Sequence, residues 1–350
     1  MQRLRVGYWP LSETLKLAGD RRRVVYWAKA RNHRIITDLS EKVDVIIASE
    51  NSDFNSSYFW NRKVPVVFDL VDAYLSPSNT FDDYSRGFAK WATKQISGEI
   101  KPFSHHIRDF CINSNAVICS SVEQEDLIKS YNTNTHVILD SHHEIPFIER
   151  SRNRNLKNNA TSILWEGQPA TIGGMKTILP ALSKLQTTAQ INLNFITDQS
   201  YYLFLNRYIK RSTTSLLNRD LGSLMDHASI VPWSPDHLVE YAKSSSIAMI
   251  PIDLTIPIQR LKPENRLLIM WRLGLPCLTS PSPAYTRVAE QAGVSAICKT
   301  MDDWFTNANR LMNDSEFAHQ DVVAGQNYLR KYHNESVLLR KWDAAIESVL

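Results

Sequence analysis

Ile247-Ala-Met-Ile-Pro-Ile252 is an unbroken apolar run, and the residues after it decide how the chain folds. A polar loop, Asp253–Gln259, comes next. It is followed by the basic stretch Arg260-Leu-Lys262-Pro-Glu-Asn265-Arg266, an apolar helical pattern to Trp271, and Gly274-Leu-Pro276. A run this apolar reads as a strand buried on both faces, as parallel strands are. Pro263 suits a first helical turn, and Gly274 suits a helix stop. Strand, loop, helix and strand in that order make a βαβ unit.

The same pattern repeats along the chain. In the first half it predicts strands at Leu4–Tyr8, Arg34–Thr37, Val43–Ala48, Val64–Leu70, Ala116–Cys119 and His136–Leu139. In the second half it predicts Ser162–Glu166, Ile191–Ile196, Ser229–Val231, Ile247–Ile252, Pro276–Thr279 and Val294–Ile297. Between the sets, Ser151-Arg-Asn-Arg-Asn-Leu-Lys-Asn-Asn-Ala160 is polar and Asn-rich and reads as a linker. Three helices follow the last strand: Asp302–Met312, Glu316–His333 and Glu335–Leu350. The last carries an apolar stripe of Val337, Leu338, Trp342, Ala345, Ile346 and Val349 that must bury itself. The predicted fold class is therefore α/β, with two doubly wound, Rossmann-like domains. The first spans residues 1–150, the linker 151–160, the second 161–334, and a C-terminal helix 335–350. Ligands of such sheets bind beyond the carboxyl ends of the strands, so the expected site is a cleft between two facing domains.

Composition narrows the function. At 350 residues, two domains of ordinary size are expected, and 43% hydrophobic with 22% charged residues is globular composition. A net charge of +4 is too small to imply nucleic acid. No apolar run approaches the ~20 residues of a membrane helix, and Met1–Gly7 lacks a signal-peptide core. A cytoplasmic protein is expected. Its four cysteines, Cys111, Cys119, Cys277 and Cys298, form no CxxC pair and no zinc pattern. His105-His106 and His142-His143-Glu144 are adjacent pairs that point apart, so no metal site is expected. The turn after the first strand, Gly7-Tyr-Trp-Pro-Leu-Ser12, is not a dinucleotide fingerprint. There is no P-loop and no Gly-x-Ser-x-Gly elbow, and no cofactor is called for. Any phosphate must be held by helix starts and basic side chains.

Several segments supply such groups. Arg260, Lys262, Asn265 and Arg266 crowd one helix start, where backbone N–H groups favour an anion. Pro232-Trp233-Ser234 follows a strand and opens a helix, with Trp233 placed to wall a base. Trp165-Glu-Gly167-Gln runs from a strand into a turn that reaches Gly173-Gly174-Met-Lys176. In the first half, Arg21 and Arg22 lie within residues 1–34, which hold nine basic and two acidic groups. That excess attracts an anionic acceptor or an acidic membrane surface. Asp69 and Asp72 close a strand and are candidates for a general base.

Taken together, these segments resemble a GT-B glycosyltransferase of the family 1/family 4 type. Ser162-Ile-Leu-Trp-Glu-Gly167 with Lys176 resembles the opening of the donor domain. Pro232–Ser234, Ile247–Ile252, Lys262–Asn265 and Gly274-Leu-Pro276 resemble its later core, and Ala116–Ser121 and Val137–Ser141 resemble the closing strands of the acceptor domain. The resemblance implies transfer of a sugar from a nucleotide-sugar donor, UDP- or GDP-linked, to a hydroxyl of a glycan or lipid-linked acceptor. It implies no essential metal and a final helix that crosses back to the first domain, while the basic excess in residues 1–34 points to peripheral contact with the inner membrane face. On this reading the expected donor residues are Gly167, Lys176, Pro232, Trp233, Ser234, Arg260, Lys262, Asn265 and Arg266, and the residues' own pattern places Arg21 and Arg22 at the acceptor and Asp69 and Asp72 in catalysis. The family 4 pair of glutamates falls on Leu261 and Ile269, and the usual Gly-Arg is Gly167-Gln168. These departures keep open an epimerase of the same fold and a non-catalytic binding protein.

Overall fold

The structure, a computed structural model, describes residues 2–60, 63–76, 80–150, 161–203 and 209–350. The expected linker, 151–160, lies outside them. The contacts divide the chain into two units. One holds Met1–His142, Leu261–Pro263 and Asn334–Leu350; the other holds His143–Arg260 and Glu264–His333.

The first unit is built on β1 (Arg5–Trp9), β2 (Arg34–Ile36), β3 (Val45–Ser49), β4 (Val66–Leu70), β5 (Ala116–Cys119) and β6 (Thr135–Val137). They form one six-stranded sheet in the order β2-β1-β3-β4-β5-β6, and every pairing is parallel. Side chains alternate between its faces, as a strand's two-residue period requires. Ile46, Ala48, Val66, Phe68 and Leu70 pack with Phe54, Phe103, Ile107 and Phe110. Val6, Tyr8, Val45, Ile47, Val67 and Ile118 pack on the other side with Val24, Trp27, Trp342 and Ile346. The C-terminal helix, Glu335–Glu347, therefore belongs to this core. Asn334 caps it by accepting the Val337 N–H at 3.0 Å. Trp342 stacks on Trp27 with ring centroids 5.7 Å apart, and Asp343 accepts the Trp27 indole N–H at 2.9 Å.

The second unit holds β7 (Thr161–Glu166), β8 (Ile191–Ile196), β11 (Ala228–Val231), β12 (Ile247–Ile250) and β13 (Cys277–Thr279), in the order β11-β8-β7-β12-β13. All of these pair in parallel. Between β8 and β11 lies an antiparallel hairpin, β9 (Ser200–Leu203) with β10 (Ile209–Ser212). Thr213 closes its base: its N–H bonds to the Gln199 carbonyl at 3.0 Å and its hydroxyl to the Asp198 carbonyl at 2.6 Å.

Three expectations need correction. Residues 143–150 group with the second unit, because the Ile148 N–H bonds to the Arg272 carbonyl at 2.8 Å and Gln326 donates to the Ile148 carbonyl at 2.7 Å. Gly274 permits this close approach. Its φ is +70°, and a side chain there would meet the Ile148 oxygen at 2.7 Å. The expected strand at Val294–Ile297 is a single bridge from Ile297 to Thr279. The Val294 N–H is instead spent on the Ala289 carbonyl in the helix stop at Gly293, and the Ser295 N–H on Asp321. The third concerns the basic run Arg21–Arg23, expected to offer its charge to an anionic acceptor. Arg23 is fully buried, and Arg22 is 6% exposed.

Arg23 is the centre of the first unit's polar core. Its guanidinium pairs with Asp69, donates to the Ile138 carbonyl at 2.7 Å, and reaches Asp140 at 3.3 Å. These carboxylates raise its already high pKa despite burial. Asp20, also buried, accepts from the Tyr8 hydroxyl at 2.7 Å, the Leu11 N–H at 2.8 Å and the Ser12 hydroxyl at 2.7 Å, which fixes the turn after β1. No described helix is long and apolar enough to cross a membrane. Removing one partner of a buried ion pair costs about 3–5 kcal/mol. Asp69→Ala is therefore expected to lower stability by at least about 3 kcal/mol, read as a lower urea midpoint. An unchanged midpoint contradicts this account of Arg23.

Candidate functional site

In a parallel sheet the carboxyl ends of the strands are free for ligands, most of all where the strand order reverses. The second unit reverses between β7 and β12, which pair through Ile163–Ile247 and Leu164–Ala248. The side chains beyond those two strands define its candidate site.

Glu166 ends β7 and is 6% exposed. Its Oε1 accepts the indole N–H of Trp233 at 2.8 Å. Trp233 is carried to this point by the segment after β11, where the Ser234 hydroxyl caps the helix Pro235–Ser244 by accepting the His237 N–H at 3.1 Å. Arg266, in the first turn of the helix Asn265–Arg272, lies over Trp165 with its guanidinium carbon 4.8 Å from the ring centroid. Its Nε is 3.7 Å from Glu166 Oε2, an ion-pair distance but too long for a hydrogen bond. Arg266 Nε and Nη2, Glu166 Oε2 and Asn265 Oδ1 are all shielded from solvent without a hydrogen-bond partner among the described residues. Gly167 makes the arrangement possible. A Cβ there would stand 3.0 Å from the Arg266 guanidinium carbon and 3.1 Å from the Trp165 ring.

The turn after β7 then reaches the short helix Gly174–Thr177, which docks on the end of β12. A Cβ on Gly174 would meet the Pro251 carbonyl oxygen at 2.1 Å. Lys176 is exposed on this helix, and Arg260 is exposed at the end of the short helix Pro257–Arg260. Of the expected donor residues, the structure thus gathers Gly167, Trp233, Asn265 and Arg266, with Pro232 and Ser234 holding Trp233 in place. Glu166 joins them. It was not singled out in the sequence because one acid at a strand end carries no local pattern.

Lys262 is not part of this group. It belongs to the first unit, where its Nζ is 2.7 Å from Asp72 Oδ1. Leu261, the residue before it, lies in the same unit, and Ile269 is 1% exposed in the second unit's core. Asp69, expected as a base, is 2% exposed and sealed by Arg23. Burial raises its pKa against the pull of that guanidinium. Arg21 donates to the Lys16 carbonyl at 3.1 Å, and Arg22 is buried. The cysteines act as apolar side chains: burial pushes the thiols of Cys111, Cys119 and Cys298 up to about 12. No group of three or more His, Cys, Asp or Glu arranged for a metal occurs among the described residues.

No protein-family model matches the chain, and no curated protein matches its sequence. Solved structures do match its fold. WaaG, a glycosyltransferase involved in lipopolysaccharide biosynthesis, is 10% identical with a TM-score of 0.59, over 97% of this chain and 98% of that one. HepE of Anabaena, solved with UDP and glucose, is 13% identical with a TM-score of 0.61, over 99% of this chain and all of that one. TarM is 12% identical with a TM-score of 0.58; the match covers 86% of this chain but only 54% of TarM, so the chain spans about half its length. The chain has the GT-B fold.

The two glycines at the second turn separate packing from mere flexibility. Nothing stands within 4 Å of a Cβ on Gly173, whereas Gly174 has no room. Gly174→Ala is expected to cost about 1–3 kcal/mol through overpacking, seen as a lower melting temperature, and Gly173→Ala to be close to neutral. Equal effects would contradict the docking of this helix on Pro251.

Proposed function

We propose that the chain is a glycosyltransferase that takes its sugar from a nucleotide-sugar donor, UDP- or GDP-linked, bound at the end of β7. One observation carries the reading. Arg266 brings N–H groups, and Glu166 a carboxylate oxygen, that make no hydrogen bond among the described residues to one shielded point at the strand-order reversal. Buried polar groups are normally paired. A ligand that meets both needs offers phosphate oxygens to Arg266 and hydroxyls to Glu166, as a nucleoside diphosphate sugar does. The start of the helix Asn265–Arg272 adds backbone N–H groups facing the same anion. Trp233 supplies an aromatic wall for the base, and exposed Lys176 and Arg260 supply further positive charge. Fixed cations in a shielded site stabilise the departing diphosphate without a metal. Glu166 would also supply the carboxylate missing at Ile269.

The likeness to WaaG and to HepE with bound UDP supports the same reading. The acceptor is a hydroxyl of a glycan or lipid-linked glycan, in line with the lipopolysaccharide role of WaaG. Calorimetric titration with UDP, GDP, ADP and their sugar conjugates tests the donor. One nucleotide family is expected to bind, with Arg266→Ala weakening it at least about tenfold, since hydrogen bonds to charged groups contribute roughly 1.5–3 kcal/mol. Binding unaffected by Arg266→Ala removes this donor site. Sugar transfer lost in EDTA and restored by a divalent cation removes the metal-independent mechanism.

A further inference from the structure

A surface helix normally turns its apolar stripe to the core and its charges to water. The helix Thr80–Ala92 of the first unit does the reverse. Phe81, Tyr84, Phe88 and Trp91 recur at steps of three and four, so they share one face. That face is turned outward: the four are 76%, 48%, 49% and 39% exposed. Ser85 and Ala92, which complete it, are exposed as well, so the face carries no charge. The polar face is the one that docks. Asp83 accepts the Ser104 N–H at 2.9 Å. Buried Lys90 donates to Asn51 Oδ1 at 3.3 Å and stands 4.8 Å from the Phe103 ring centre. Between them Gly87 allows a close approach, since a Cβ there would meet the Lys101 carbonyl oxygen at 2.0 Å.

These contacts fix the helix by its polar side, so the aromatic stripe is held outward by design of the packing and not by a loose fit. Area and charge identify what it meets. An aromatic side chain has about 150–250 Å² to bury, so the exposed fractions of the four amount to roughly 400 Å². That is about half of the ~800 Å² each partner buries in a stable protein interface. A second copy of the chain seated on this stripe falls short of that area. A bilayer needs no matching shape, and its hold on a helix grows with apolar area and with attraction to anionic headgroups. Trp and Tyr are the side chains that settle at such an interface. The charges agree. From Arg86 to Gly98 the chain carries three basic groups, Arg86, Lys90 and Lys94, and no acid. Lys94 is exposed just beyond Trp91. Asp82 and Asp83 lie at the opposite end, where Asp83 is engaged by Ser104.

We propose that the Phe81–Trp91 face of this helix seats the first unit on an anionic lipid bilayer. The aromatic side chains enter the boundary between headgroups and acyl chains, and Lys94 meets the headgroup phosphates. The basic excess of residues 1–34 does not supply this surface, because Arg22 and Arg23 are buried. The assignment uses none of the donor residues and does not rest on the donor reading.

Flotation with vesicles of equal parts phosphatidylglycerol and phosphatidylcholine tests it, on the full chain and with no sugar donor. The wild type is expected to float, and to bind phosphatidylcholine alone at least about fivefold more weakly. Phe88→Ser combined with Trp91→Ser is expected to weaken binding at least about tenfold, with a melting temperature within about 2 °C of the wild type, as for exposed positions. Lys94→Ala weakens binding to the anionic vesicles about fivefold. Vesicles with brominated acyl chains give a reading that needs no variant: they are expected to quench wild-type tryptophan fluorescence. A wild type that neither floats nor is quenched overturns the proposal, as does a folded double variant that floats like the wild type. A dimer in sedimentation velocity that the same two substitutions abolish gives the stripe to a second copy and overturns it too.

Discussion

The reversal of strand order inside each parallel sheet is the constraint on which the rest of the structure depends. At a reversal, successive crossovers leave toward opposite edges, so neither covers the gap between the two central strands. In the second unit the gap lies between β7 and β12. The chain uses two glycines there in different ways. Gly167 leaves room for the Arg266 guanidinium over the strand end, and Gly174 lets a helix start sit on the Pro251 carbonyl. With those contacts made, Glu166, Trp233 and Arg266 have little freedom. A site assembled in this way requires no glycine-rich fingerprint, which is consistent with a chain of 11 glycines.

The first unit handles charge differently. Arg23 is fully buried and satisfied by Asp69, Asp140 and the Ile138 carbonyl. A charge in that position costs several kcal/mol of desolvation unless its partners are well placed. With the Ser120 hydroxyl at 3.4 Å as a further partner, Arg23 ties β4 and the segments after β5 and β6 to the helical turn after β1. The outcome for Asp69 is loss of any solvent-facing role.

Much of the fold was legible because buried parallel strands are apolar without interruption. Val45–Ser49 and Val66–Leu70 are buried at every position, and both were visible as runs. The β9–β10 hairpin was not, since its second strand, Ile-Lys-Arg-Ser, is exposed throughout and has no burial pattern to betray it. Arg266 and Trp233 were legible because each sits in a strand-loop-helix passage. Lys262 was misassigned for the same reason: it is four residues from Arg266 in sequence, but it packs in the other unit. Arg23 has partners 46 and 117 residues away, and no local spacing announces them.

The central proposal is that a nucleoside diphosphate binds at the end of β7 against Gly167 and Arg266. Hydrogen exchange with and without saturating UDP or GDP tests it most directly, because ligand contact slows the opening of backbone N–H groups at the site. The account predicts slowed exchange in two separate segments, from Gly167 to Lys176 and from Asn265 to Leu268. Binding that leaves both segments unchanged, or protects only other segments, would contradict it.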